Sequence, residues 1–145
     1  LVLADALCLA VSKKVDEIVD IATLTGACLI ALGDVASALL SNNRRMAARF
    51  KKVSDFTGER LWELPLYPEY RDYLDSDIAD MMHCTETRKA GTATAAKFLE
   101  EFVDKTPWVH LDIAGTMDAS SAKGWLVKGM TGSNTRNLIG YVMGH

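Results

Sequence analysis

The sequence predicts an α/β fold in which a sheet is covered by helices on both faces. Three observations carry this prediction. Short β-branched or apolar runs at residues 15–22 and 108–114 suit buried strands. Apolar residues recur with helical spacing at residues 45–53 and 92–103. Both strand runs stop at a glycine, Gly26 and Gly115, as strands do where they feed a turn and then a helix. Strands alternating with helices along one chain bury a sheet from both sides.

Residues 1–11 read as a helix with no capping residue ahead of Leu1, so the chain is expected to be a segment of a longer polypeptide. Residues 15–22 then form the first strand. It breaks into Thr23-Leu24-Thr25-Gly26, where amides and carbonyls come free of the sheet and small side chains let a ligand approach them. The same Gly26 could also serve only a tight turn. Residues 28–32 and 36–41 are further apolar runs, either of which could be a strand. Asn42-Asn43 punctuates, and residues 45–53 place Met46, Phe50 and Val53 on one helical face.

Residues 61–68 hold two of the three prolines and should be extended and irregular, and residues 69–74 start a short helix. After Ala90-Gly91, an amphipathic helix is expected to turn Ala95, Phe98, Leu99 and Phe102 inward. Pro107 resets the chain before a central strand at 108–114. Thr131 or Ser133 could cap a final helix buried through Leu138, Ile139, Val142 and Met143. No internal repeat or low-complexity linker interrupts this order.

A chain of 145 residues with 49% hydrophobic and 24% charged residues can build one core. The apolar opening is broken by Asp5 and Ser12-Lys13-Lys14, well short of the ~20 residues a membrane span needs. The net charge of −3 gives no global attraction to nucleic acid, and the locally basic residues 43–52 read as a solvated helix face. Cys8, Cys28 and Cys84 lie far apart in apolar or small-residue settings, which suits reduced thiols in a cytoplasmic protein.

His110-x-Asp112 puts two polar residues on one strand face, where they could bind a metal or form a base and its orienter. No nucleophile stands in a recognisable motif, so a structural pair is the favoured reading. His83-Cys84 point opposite ways and make a poor metal site, and His145 is terminal. Asp72, Asp75, Asp77 and Asp80 lack the pattern of a calcium loop and read as a solvated face. Neither nucleotide-binding glycine motif occurs, so residues 128–132 read as a surface turn.

Six collinear stretches, residues 1–7, 20–27, 58–66, 90–96, 110–115 and 128–132, together make the chain similar to the leucyl aminopeptidase family of dinuclear metallopeptidases. The resemblance covers essentially the whole chain. It implies the C-terminal part of a catalytic domain with a mixed sheet inside a three-layer α/β/α architecture. It implies a cytoplasmic homohexamer that removes leucine-like N-terminal residues from peptides, with no nucleic-acid or membrane partner.

The cofactors implied are two divalent ions, zinc or manganese, and possible bicarbonate. In that family the metals assist attack of a bridging water on the scissile carbonyl. Its Asn-Thr-Asp-Ala-Glu-Gly-Arg signature stands directly before the position matched by Leu1, and its other ligands lie earlier still. Asp5, Asp20, Asp34, Asp80 and Asp112 match no ligand position, so no metal or catalytic residue is assigned within this chain. The resemblance leaves the substrate wall here. Thr23, Leu24 and Gly26 match positions whose backbone contacts the peptide and the transition-state oxygens. Cys84, Ala114 and Met117 match positions lining the pocket for the first side chain. Cys84 stands where a larger aliphatic residue is common, and Met81-Met82-His83 where more polar residues are frequent. As an isolated chain, the alternative is a catalytically incompetent scaffold or oligomerisation module.

Overall fold

The computed structural model describes residues 1–85, 87 and 89–144, leaving His145 outside the described residues. Helix α1 spans Val2–Ser12, followed by strand β1 (Ile18–Ala22), helix α2 (Gly26–Leu32) and strand β2 (Ser37–Ser41). Helix α3 (Arg44–Thr57), strand β3 (Leu61–Glu63) and a 3-10 helix (Pro68–Leu74) come next. Helix α4 (Gly91–Glu100), strands β4 (Trp108–Asp112), β5 (Asp118–Ala119) and β6 (Gly129–Met130), and helix α5 (Thr135–Met143) complete the order.

The main sheet is mixed, in the order β1-β4-β2-β3. Strand β1 runs parallel to β4 with Ala22 opposite Asp112, β2 runs antiparallel to β4, and β3 runs parallel to β2. Successive side chains alternate between the two faces, and the two cores follow that period. Ala38, Leu40 and Trp108 pack toward Leu7 of α1, Cys28 of α2, and Phe98 and Leu99 of α4. Leu39, Val109 and Leu111 pack toward Met46 and Phe50 of α3 and Tyr141 of α5. The result is the three-layer α/β/α arrangement expected from the sequence.

Local chemistry sets most boundaries. Asn43 Oδ1 accepts from the amides of Arg45 and Met46 at 3.0 Å each, capping α3, and Gly58 at φ 74° ends it in the left-handed conformation. Residues 28–32 belong to α2 rather than to a strand. Thr25 accepts from the Cys28 amide at 3.1 Å, and this cap commits a short apolar run to helix. Residues 61–63 pair with β2 as a brief strand before the proline-bearing segment, and the predicted short helix is of the 3-10 kind.

Helix α5 departs most from expectation. Its first residue follows Asn134, which makes no side-chain cap, and its buried residues are Asn137, Gly140 and Tyr141. Ile139, Val142 and Met143 are exposed. Glu59 supplies the cap from a distance, accepting from the amides of Asn134 and Asn137 at 3.0 Å each. A polar face satisfied in this way can be buried, and Gly140 then lets α5 approach Val53 of α3. No helix among the described residues is long and apolar enough to cross a membrane.

Candidate substrate-binding wall

Because β1 and β4 are parallel and adjacent, both end at the same edge of the sheet, where open α/β sheets bind their ligands. The loop after β1 carries Thr23, Leu24 and Thr25, and the loop after β4 carries Ala114 and Met117. Asp112, fully buried at the last position of β4, joins the two loops. Its Oδ1 accepts from the amides of Leu24 and Ala114 at 3.1 Å each. Its Oδ2 accepts from the Thr25 amide at 3.1 Å and the Thr25 hydroxyl at 2.7 Å. Charge-assisted bonds of this kind are stronger than neutral ones, so the two strand ends are held as a unit.

A cavity of about 570 Å³ opens beside this junction. Its lining includes Leu24 and Gly26 from the first loop and α2, Cys84 and His83 from the segment before α4, and Gly91, Thr94 and Phe98 from α4. Leucine and phenylalanine side chains give it an apolar wall, and threonine hydroxyls give it a few polar points. That is the usual make-up of a small-molecule site. The Thr25 and Thr92 hydroxyls lie 3.0 Å apart and tie the first loop to the start of α4.

Of the six residues expected to contact substrate, Leu24, Gly26 and Cys84 line this one cavity. Thr23 is exposed next to Leu24, and Ala114 is partly buried against the core beneath it. Met117 is 36% exposed, with its amide bonded to the Ile113 carbonyl at 3.0 Å. Thr23, Ala114 and Met117 stand outside the lining of the cavity.

His110 and Asp112 share a strand face but do not pair with each other. His110, wholly buried, has Nδ1 2.5 Å from Asp20 Oδ1, its register partner on β1, while Trp108 Nε1 donates to Asp20 Oδ2 at 2.6 Å. His110 Nε2 has no partner among the described residues. Each polar residue of the motif is engaged by its own partners, His110 by Asp20 and Asp112 by the two strand-end loops. Both oxygens of Asp20 and of Asp112 are thus hydrogen-bonded. Among the described residues, no group of three or more His, Cys, Asp or Glu side chains gathers as metal ligands do.

Burial, and after it the charge of Asp112, push the Cys28 thiol above its ordinary pKa, and Cys28 Sγ lies 3.5 Å from the Asp112 carbonyl. Cys8 and Cys84 are free and exposed. Arg71 pairs with Asp75 at 2.9 Å, and Lys51 of the basic segment pairs with Glu63 at 2.5 Å.

The Asp112 junction had one sequence signal, the Thr25-Gly26 pair that resembles a helix start. The long-range bonds themselves are invisible in local sequence.

Residues 1–139 match the family described as "Cytosol aminopeptidase family, catalytic domain". The chain is 49% identical over 142 residues to a probable cytosol aminopeptidase of Geobacter sp. (strain M21), covering 98% of this chain and 29% of that protein. It is 46% identical over 143 residues to one of Gloeobacter violaceus, covering 99% of this chain and 28% of that protein. A third, from Thermosynechococcus vestitus, is 48% identical over 139 residues, 96% of this chain and 28% of its own length. The chain thus spans under a third of the length of these relatives. By these matches the chain belongs to the cytosol aminopeptidase family, with residues 1–139 matching its catalytic domain.

Proposed function

We propose that the protein containing this chain is a leucine-preferring metalloaminopeptidase, and that residues 1–145 contribute the wall gripping the amino-terminal end of a peptide. The observation that carries this reading is the pair of parallel strand ends joined by Asp112, with Leu24 and Gly26 opening onto a cavity of about 570 Å³. Such a volume lies within the ~300–1,000 Å³ usual for small-ligand sites. The mainly apolar lining favours a leucine-like side chain, and Cys84 contributes to the same cavity. Asp112 holds the Ala114 amide directly, and Thr23 and Met117 stand close in sequence to the residues it holds, which supports their place at the rim of the same cleft.

The divalent ions, zinc or manganese, would then be held by residues beyond this stretch, together with any bicarbonate. A cytoplasmic homohexamer is part of the same proposal. The outer face of α5 supports burial against other protein, since it exposes Ile139, Val142 and Met143. The relatives carry the name cytosol aminopeptidase.

Hydrolysis of leucyl amide by the full-length protein, with manganese or zinc added in turn, tests the reading. Turnover that exceeds that of a charged aminoacyl amide is the expected result. No turnover with either metal contradicts it.

A further inference from the structure

We propose that Asp112 is a positioning residue for peptide binding, one that sets the backbone of Leu24, Thr25 and Ala114 without touching substrate. The inference rests on the reading of the strand ends as a substrate wall and goes beyond it by naming what holds that wall in place. Asp112 is 0% exposed, and its side-chain bonds run to amides and a hydroxyl of the two strand-end loops. Three amides converge on one rigid carboxylate, so the three peptide planes cannot shift independently. Thr25 extends the connection: its hydroxyl bonds Asp112 at 2.7 Å, caps α2 through the Cys28 amide and meets Thr92 of α4 at 3.0 Å. One carboxylate therefore fixes residues of the first loop and the start of α4, both of which line the cavity. Asp112 itself is absent from that lining, which makes its effect indirect.

An asparagine at 112 keeps the shape and one acceptor oxygen but turns an NH2 toward the Thr25 amide, setting donor against donor there. The displaced loop would misplace backbone groups aimed at the reacting carbonyl, and a shift near 1 Å costs about 100-fold in rate.

The test uses the full-length protein with leucyl amide, comparing D112N, T25V, T25S and G26A with wild type. For D112N the expected result is a folded protein whose kcat falls about 100-fold, with a smaller change in KM. T25V should lose about 10-fold and T25S should recover most of that loss, because serine restores the hydroxyl. If D112N does not fold, the contrast between T25V and T25S decides. Folded D112N and T25V with kcat and KM within about twofold of wild type, and only a lowered Tm, would overturn the positioning role. If G26A impairs turnover while D112N and T25V do not, the wall reading stands and the positioning role alone fails. If G26A is equally silent, or wild type does not turn over the amide, the wall reading fails and takes this inference with it.

Discussion

A Cβ added to Gly115 would stand 2.0 Å from the carbonyl oxygen of Gly33. The turn after β4 and the end of α2 therefore touch backbone to backbone, and this contact seats α2 beside the strand ends that frame the cavity. Gly115→Ala forces the two segments apart. Overpacking of this kind costs ~1–3 kcal/mol, and contact with main chain rather than a flexible side chain puts it at the upper end. Urea unfolding of the full-length protein should report a lowered midpoint. An unchanged midpoint would mean that the two segments are not in close contact.

Asp20 anchors a second buried cluster, holding His110 Nδ1 at 2.5 Å and Trp108 Nε1 at 2.6 Å. Asp20→Ala strands both ring nitrogens in the core, at ~1–3 kcal/mol for each. Asp20→Asn keeps one acceptor and should lose less. Denaturant midpoints falling in the order wild type, D20N, D20A are expected. Equal stability of D20A and wild type would contradict the cluster's structural role.

Tyr141 lies between α3 and the start of β1, its hydroxyl donating to Glu17 Oε2 at 2.7 Å and accepting from Arg49 Nη1 at 2.9 Å. Burial, then the hydrogen bond and charge of Glu17, push its pKa from 10.0 up to about 12. The folded state thus keeps a proton that the unfolded chain releases. Its stabilising contribution is complete below pH 10 and is lost as pH rises toward about 12. Measured against wild type, Tyr141→Phe should show a flatter fall in unfolding free energy across that window. Parallel curves would contradict the shift.

Much of the fold was legible because the relevant signals are local. The β-branched run before Thr23, the apolar run at Trp108 and the spacing of Met46, Phe50 and Val53 each gave a correct element. The illegible parts depend on distant partners. Residues 28–32 are too few for periodicity to separate strand from helix, and Thr25 decides the matter through its cap. In α5, Ile139, Val142 and Met143 looked like the buried stripe, yet Glu59 makes burial of Asn137 possible and Gly140 permits close packing on Val53. At the candidate site, the resemblance named Leu24, Gly26 and Cys84, which the fold brings to one cavity. The carboxylate that ties Leu24 to Ala114 reads in the sequence only as half of a structural pair with His110. Its reach across 88 residues to Leu24 could not be seen in the sequence.

Gly26 offers the most direct measurement. A Cβ there meets nothing within 4 Å, and the residue lines the cavity at the first turn of α2. Gly26→Ala should leave the Tm of the full-length protein unchanged or slightly raised, because alanine favours helix and fills open space. The same methyl would occupy the path by which a peptide reaches the strand-end backbone, so kcat/KM for leucyl amide should fall at least ~10-fold, a cost near 1.4 kcal/mol. A G26A protein of undiminished stability with wild-type kcat/KM would contradict the claim that this strand end grips the substrate.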